Sequence, residues 1–332
     1  TADPGAYIDD IFSTFLYTGN AGSRTINPGV DLANEGGLTW IKGRNDSDWH
    51  SLMDTVRGAG KQLFTNSTSS TEDKTSTYNQ TFTSTGYTIN TSDGQINSNN
   101  INYVTWLFRK TVGFFDISTW TGTGSAQSIA HSLGSVPGLI FVKNRSSSSD
   151  WYIWHRSLTS NAYYLKFEHG SGESNSDNAW NSTTPTSTHF TVGTVDGTNK
   201  NGDDFVAYIF GHDVESFGAT ADASVIKCGV YTGNGSSNGT EINLGWRPQF
   251  VLHKKMNDAS NWHMMDTARG IVQNGDDAFI GANLNESEAN VELLNLTSTG
   301  FKNTTDRSSW NSNGDKYVYM AIREEDSTVS SP

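Results

Sequence analysis

The chain repeats one ordered pattern three times, and this repetition constrains its fold more than any other sequence feature. An aromatic residue followed by Thr-Gly and then Asn or Thr begins each copy, at Tyr17, Trp120 and Tyr231. The copies start roughly a hundred residues apart, which is enough chain for each to bury a core. We therefore predict three similar segments. Their predicted bounds are residues 1–110 (segment 1), 111–214 (segment 2) and 215–332 (segment 3).

The pattern within each segment is typical of β-strands. Phe12, Thr14 and Leu16 alternate with polar residues, as expected for a strand with one buried face. The strand that closes segment 1, near 103–108, is apolar on both faces and should lie centrally in its sheet. Asn, Asp, Ser and Gly punctuate these runs as turns. The sequence thus predicts an all-β fold of three tandem antiparallel β-sandwich repeats, jelly-roll-like in form. Because the junctions are short, we expect the repeats to pack end to end.

Composition excludes several classes of function. The net charge is −13, so the surface should repel nucleic acids and anionic membranes. No apolar stretch is long enough to insert into a membrane. The one cysteine, Cys228, rules out an intrachain disulfide and is interpreted as a small core residue. Only 17 % of residues are charged, while Ser, Thr, Asn and Gly are abundant. This composition is common in extracellular and virion proteins.

One charged motif occurs twice. Asp54 and Arg57 stand three residues apart in segment 1, and Asp266 and Arg269 do so in segment 3. That spacing brings the two side chains together in a single turn. The arginines could bind a carboxylate or a sugar hydroxyl, but a structural ion pair that closes a loop is the favoured interpretation. Segment 2 lacks the motif, which argues against three copies of an active site.

A tryptophan follows a polar loop in each segment: Trp49, Trp151 and Trp262. Such residues could stack on sugar rings and are candidate glycan or partner contacts, although core anchors are the simpler interpretation. Three lysines end the preceding apolar strands and are expected to extend to solvent. They are Lys42, Lys143 and Lys254.

No established catalytic or metal-binding motif is present. The sequence has no His-Glu-x-x-His, no Gly-x-Ser-x-Gly and no phosphate-binding Gly-x-x-x-x-Gly-Lys. The pairs Asp203-Asp204 and Asp276-Asp277 could supply calcium ligands, but they occupy unrelated positions and are favoured as turn residues. We therefore predict no catalytic residue, no cofactor and no metal.

An ordered series of motifs in segment 1 resembles a known family. The series comprises 17–20, 29–32, 36–42, 54–61, 82–87 and 103–106. It is similar to a domain of unknown function that recurs, often in tandem, in virion and tail-associated structural proteins of marine tailed phages, including cyanophages. Segment 3 resembles the series well and segment 2 more loosely. The resemblance implies a structural role on a virion surface and supplies no catalytic residues.

These observations predict a non-enzymatic structural subunit of an extracellular or virion surface assembly, such as a fibre, tail or capsid-associated protein. We expect it to self-associate as a trimer, ring or filament. The N-terminal segment 1–10 precedes the first repeat and is predicted to be an assembly arm, with Tyr7, Ile8 and Ile11 as its contact residues. The alternative is a lectin-like adhesin that recognises host surface glycans. A polysaccharide depolymerase is a third, less favoured class.

Overall fold

The chain folds into antiparallel β-sheets, which confirms the all-β prediction. The computed structural model describes residues 6–168, 170–326 and 328–331. Each described helix has four residues.

Segment 1 begins with a helical turn and is otherwise built mainly of strands. Its elements are α1 Ile8–Ile11, β1 Phe12–Thr18, β2 Ser23–Ile26, β3 Gly37–Gly43, β4 Ser51–Asp54, β5 Lys61–Gln62, β6 Glu72–Asp73, α2 Thr75–Tyr78, β7 Thr81–Thr83, β8 Gly86–Asn90 and β9 Asn102–Arg109.

Segments 2 and 3 follow a similar course. Segment 2 contains β10 Phe115–Thr121, β11 Gln127–Ala130, β12 Leu139–Asn144, β13 Tyr152–His155, β14 Tyr163–Lys166, β15 Ser174–Asn175, β16 His189–Val192, α3 Asp196–Asn199 and β17 Asp204–Phe210. Segment 3 contains β18 Ile226–Thr232, β19 Glu241–Asn243, β20 Pro248–Lys255, β21 Trp262–Asp266, β22 Asp277–Gly281, β23 Ala289–Val291, β24 Leu294–Thr297, β25 Gly300–Asn303, α4 Ser308–Asn311 and β26 Lys316–Arg323.

The three large sheets share one strand order, in which the opening strand pairs with the closing strand. The orders are β1-β9-β3-β4, β10-β17-β12-β13-β14-β15 and β18-β26-β20-β21-β22-β23. The closing strands β9, β17 and β26 each lie between two neighbours, as their two apolar faces predict. A smaller sheet accompanies each large one: β2-β8-β7, β11-β16 and β19-β25-β24.

Each large sheet buries both of its faces. In segment 1, Tyr17, Ile41 and Tyr103 contact Tyr87 and Ile89 of the small sheet in an outer core. Equivalent outer cores lie in segments 2 and 3. The sandwich within each segment therefore has its own hydrophobic layer.

The opposite faces of all three large sheets form one central core. Trp106 and Phe108 of β9 belong to it together with Phe210 of β17 and Met320 of β26. The ring centroids of Phe108 and Phe210 are 5.5 Å apart, and those of Phe108 and Phe250 are 6.4 Å apart. The prediction of end-to-end packing is therefore wrong, because the segments surround a shared core instead. An apolar second face on every large sheet made this packing favourable.

Candidate functional site: the contacts between segments

Trp151 and Trp262 connect neighbouring segments from inside the protein. The Trp151 Nε1–H donates to the Phe64 carbonyl of segment 1 at 2.7 Å, and the Trp262 Nε1–H donates to the Lys166 carbonyl of segment 2 at 2.8 Å. Both side chains are at most 2 % exposed. Both tryptophans therefore lie in the core, as the simpler interpretation predicts, and neither ring face is accessible to a sugar.

In segment 1, the position equivalent to Trp151 and Trp262 is occupied by His50 and not by Trp49. Sheet pairing aligns Ser51 with Tyr152, so His50 occupies the place of Trp151. The His50 Nε2–H donates to the Gly281 carbonyl of segment 3 at 2.9 Å. Trp49 is half-buried beside it and packs edge-on against Phe64 at 4.9 Å. Spacing from the buried lysines could have revealed this, since His50, Trp151 and Trp262 each follow a lysine by eight residues.

These three contacts form a closed cycle. Segment 2 donates to segment 1, segment 3 to segment 2, and segment 1 to segment 3. The three acceptor carbonyls belong to structurally equivalent residues. Each of these residues directly follows one that pairs with the adjacent strand, namely Leu63, Leu165 and Ile280. A cycle of this kind makes every segment both donor and acceptor, so the arrangement closes on itself within one chain.

Both predicted ion pairs are present, and each reaches into another segment. Asp54 and Arg57 are fully buried and paired, and the Tyr208 hydroxyl of segment 2 donates to Asp54 at 2.8 Å. Asp266 pairs with Arg269 at 2.6 Å and accepts the Trp106 Nε1–H of segment 1 at 3.0 Å. Their role is to join segments, because both carboxylates are occupied by these partners.

Segment 2 makes the corresponding contact with a neutral side chain. His155 replaces the aspartate, and its Nε2–H donates to the Tyr319 carbonyl of segment 3 at 3.1 Å. The Ser157 N–H donates to its Nδ1 at 3.1 Å, which fixes the tautomer. Burial lowers the pKa of His155 to about 3 and that of His50 to about 3, so both rings are neutral at physiological pH.

The three strand-ending lysines do not extend to solvent, and that prediction is wrong. Lys42, Lys143 and Lys254 are fully buried. Each ammonium donates to backbone carbonyls: Lys42 Nζ lies 2.6 Å from Gly43 O and 2.9 Å from Asp46 O in the loop that follows, whereas Lys143 donates to Ser149 O of its own loop and to Thr68 O of segment 1 at 3.0 Å. Burial lowers their pKa values to about 8, 8 and 7, respectively. These carbonyls replace water as hydrogen-bond partners of the buried charge.

Sequence reasoning missed one repeated polar residue, the asparagine at Asn97, Asn199 and Asn311. Its side chain is buried and fastens the Thr-Gly turn that opens each segment. Asn311 Nδ2 donates to Ser236 O at 2.7 Å and to Thr305 O at 3.0 Å, while its Oδ1 accepts the Asn234 N–H at 3.0 Å. The signal was available, because an Asn recurs shortly before the closing strand in each segment.

The predicted assembly arm is part of the protein's own core. Ile8 and Ile11 are fully buried in the central core, and the Ile8 N–H donates to the Val329 carbonyl at 2.8 Å. Tyr7 is half-buried, and residues 1–5 of the arm lie outside the described residues. The prediction is therefore wrong for Ile8 and Ile11, because hydrophobic burial within the chain leaves them no surface for a partner.

Each aspartate pair lies where a loop meets a strand and not within a turn, because Asp204 begins β17 and Asp277 begins β22. Asp277 is buried and accepts three backbone N–H groups, from Val272, Leu293 and Leu294, at 2.8 to 3.0 Å. Asp203 accepts the Asn144 amide at 2.8 Å. Cys228 is buried in the central core, and burial raises its thiol pKa, as a core role predicts.

Two surface cavities border the contacts between segments, and His155 is among the residues that line the first of them. A cavity of about 380 Å³ in segment 2 is lined by Trp154, Arg156, Asn161 and Thr184. Another, of about 440 Å³, lies beside Arg44 and Glu288 where segments 1 and 3 meet. Within residues 6–168, 170–326 and 328–331, no three His, Cys, Asp or Glu side chains are grouped to hold a metal ion. No helix in that part of the chain has the length and apolar character needed to cross a bilayer.

No curated protein sequence matches this chain. A family model does match, and the matched stretch runs through all three segments. Residues 7–326 fit the model described as a domain of unknown function, DUF7483, and the chain belongs to that family.

Proposed function

We propose that the protein is a non-enzymatic structural subunit of an extracellular or virion surface assembly. The observation that supports this most is the use made of its ionisable side chains. Asp54, Arg57, His155 and Asp266 resemble catalytic residue types, yet all are buried in contacts that join segments. Side chains held in such contacts stabilise the folded chain, which supports a structural role over a catalytic one.

The architecture also suits an assembly component. The three large sheets surround one core, and a closed cycle of hydrogen bonds joins the three segments. This packing leaves little freedom for internal motion. A polar surface with few lysines and many hydroxyl and amide groups suits an extracellular or virion location. Copies of such a body could associate as a trimer, ring or filament.

Light scattering together with negative-stain microscopy tests self-association. We expect particles that are a defined multiple of the 36.2 kDa chain and that share one symmetry. A single monomeric species at every protein concentration would contradict self-association. Incubation with host polysaccharide tests the non-enzymatic part of the proposal, because new reducing ends would indicate a depolymerase.

A lectin-like adhesin remains the alternative, and the exposure of Trp49 favours it. Unlike Trp151 and Trp262, Trp49 is partly exposed, and it follows the polar loop 45–48. An indole face at the edge of such a loop could stack on a sugar. A glycan array with the wild type, Trp49→Ala and the control Trp49→Phe tests this. Binding that is lost in the alanine variant and retained in the phenylalanine variant supports the adhesin; no binding by the wild type contradicts it.

A further inference from the structure

Each of the three contacts between segments contains a backbone hydrogen bond at an equivalent position. The side chains around these bonds can therefore be compared with one another. Glu288 N–H donates to Arg44 O at 2.7 Å between segments 3 and 1. Thr71 N–H donates to Arg145 O at 3.1 Å between segments 1 and 2, and Glu173 N–H donates to Met256 O at 2.6 Å between segments 2 and 3. Arg44, Arg145 and Met256 each follow a buried lysine by two residues. Glu288, Thr71 and Glu173 are therefore structural equivalents.

At the contact between segments 3 and 1, a carboxylate lies between two arginines. Glu288 accepts from Arg44 through two bonds, Oε1 to Nη2 at 2.7 Å and Oε2 to Nε at 2.9 Å. The same carboxylate lies 3.4 Å from Nη1 of Arg269. Arg269 also pairs with Asp266, so two guanidinium groups face two carboxylates. Bidentate pairing of this kind compensates the burial of the charges.

At the contact between segments 1 and 2, the same two arginines are present without the second carboxylate. Arg57 corresponds to Arg269 and Arg145 to Arg44, but Thr71 stands where Glu288 stands. Arg57 Nη1, Arg145 Nε and Thr71 Oγ1 are all buried and have no hydrogen-bond partner among the described residues. The two nitrogens are the same atoms that contact Glu288 at the other interface.

The electrostatics agree with this comparison. Burial and the positive charge of Arg57 lower the pKa of Arg145, whereas the hydrogen bond that Arg44 donates to Glu288 raises the pKa of Arg44. A buried N–H group of a cation without an acceptor is costly. The third contact avoids this cost differently, because Met256 and Leu158 replace both arginines there.

From this we infer that a small monovalent anion, of the size of chloride or a carboxylate group, binds between Arg57, Arg145 and Thr71. It would accept hydrogen bonds from Arg57 Nη1, Arg145 Nε and the Thr71 hydroxyl, in the place of the carboxylate that Glu288 supplies between segments 3 and 1. The anion would join segment 1 to segment 2 and would be a structural ligand, independent of the proposed role in an assembly.

Crystals of the wild-type protein grown or soaked in sodium bromide provide the direct test. We expect an anomalous bromide peak within hydrogen-bonding distance of Arg57 Nη1 and Arg145 Nε. The same data include the Glu288 contact as an internal control, where no peak is expected. A refined water or a protein group at the Arg57–Arg145 position, with no bromide, would overturn the inference.

Thermal unfolding of two variants tests the same inference in solution. Sodium chloride is compared with sodium gluconate at constant ionic strength, and chloride should raise the wild-type midpoint by about 1–3 °C. Thr71→Glu supplies the carboxylate within the chain, so its midpoint in gluconate should exceed that of the wild type and its chloride dependence should vanish. Glu288→Thr recreates the arrangement at the other contact and should gain chloride dependence. Unchanged chloride dependence in Thr71→Glu would contradict the inference.

Discussion

His50 donates its Nε2–H to the backbone carbonyl of Gly281 at 2.9 Å, across 231 residues of sequence. This bond joins segment 1 to segment 3 and closes the cycle that Trp151 and Trp262 form elsewhere. Trp40 Nε1–H donates to the other ring nitrogen of His50 at 2.9 Å, so both nitrogens are occupied.

Replacement of His50 should open the cycle at its long-range contact. His50→Phe leaves the Trp40 N–H buried without its acceptor and leaves the Gly281 carbonyl with the Leu284 N–H alone, and we expect a loss of about 2–4 kcal/mol in the free energy of unfolding. Urea denaturation measures it. Val56→Ala, an exposed control in the same segment, should change stability by less than about 0.5 kcal/mol. Equal stability of the two variants would show that the cycle contributes little.

The Asp54–Arg57 pair should behave as a unit. Arg57→Leu leaves the buried Asp54 carboxylate without its cation, held only by the Tyr208 hydroxyl and the backbone N–H groups of positions 56 and 57, and should cost about 3–5 kcal/mol. The double variant Asp54→His, Arg57→Leu copies the residues of segment 2 at these positions and should be more stable than Arg57→Leu alone. A double-mutant cycle by chemical denaturation checks this; additive losses would contradict it.

Acid should destabilise the protein through its buried histidines. The pKa values of His50 and His155 are lowered to about 3, so the unfolded chain binds protons below about pH 6.5 while the folded chain does not. The contribution of these histidines to stability is therefore full above that pH and falls as the pH is lowered, by up to about 1.4 kcal/mol per pH unit for each histidine. Urea midpoints between pH 5 and 7 measure the slope.

A His155→Gln variant isolates one contribution. Its slope in that range should be shallower than that of the wild type, because one titrating group is gone. Comparison of variants is needed because burial raises the pKa of Glu168 to about 8, and this carboxyl opposes the histidines as the pH falls. An identical slope in wild type and variant would contradict the assignment of a buried, neutral His155.

The turn that opens each segment should tolerate no side chain at its glycine. A Cβ at Gly19 would lie 2.0 Å from the Ser98 carbonyl oxygen, so Gly19→Ala should strongly destabilise the protein. Gly22 in the same loop has its nearest neighbour at 3.8 Å, and Gly22→Ala is the matched control, expected to be close to neutral. Thermal unfolding of both variants measures the difference, and equal midpoints would contradict the close approach.

Removal of residues 1–11 should destabilise the folded chain. Ile8 and Ile11 are fully buried, and loss of a buried isoleucine costs about 2–5 kcal/mol. Circular dichroism and thermal unfolding test this, with a shorter deletion of residues 1–5 as the comparison. A truncated chain that unfolds at the wild-type midpoint would restore the hypothesis of an external arm.

Several parts of the fold could be predicted from the sequence because they depend on local pattern. Alternation in β1 and the two apolar faces of β9 predicted a central closing strand, and pairing on both sides of β9 confirms it. The spacing of Asp54 and Arg57 predicted their ion pair. Trp49 was misaligned with Trp151 because both are tryptophans, whereas the sheet register gives that position to His50.

The sequence by itself determined the strands, the turns and the threefold recurrence of their order, since these follow from side-chain periodicity and backbone preference. Only the tertiary structure decided that the three large sheets share one core, that Lys42 and Trp151 are buried, and that His50 meets Gly281. Those outcomes depend on which apolar faces pack against each other. Residues far apart in the chain compete for that burial. No local pattern encodes the result, because the free energy comes from water excluded between segments.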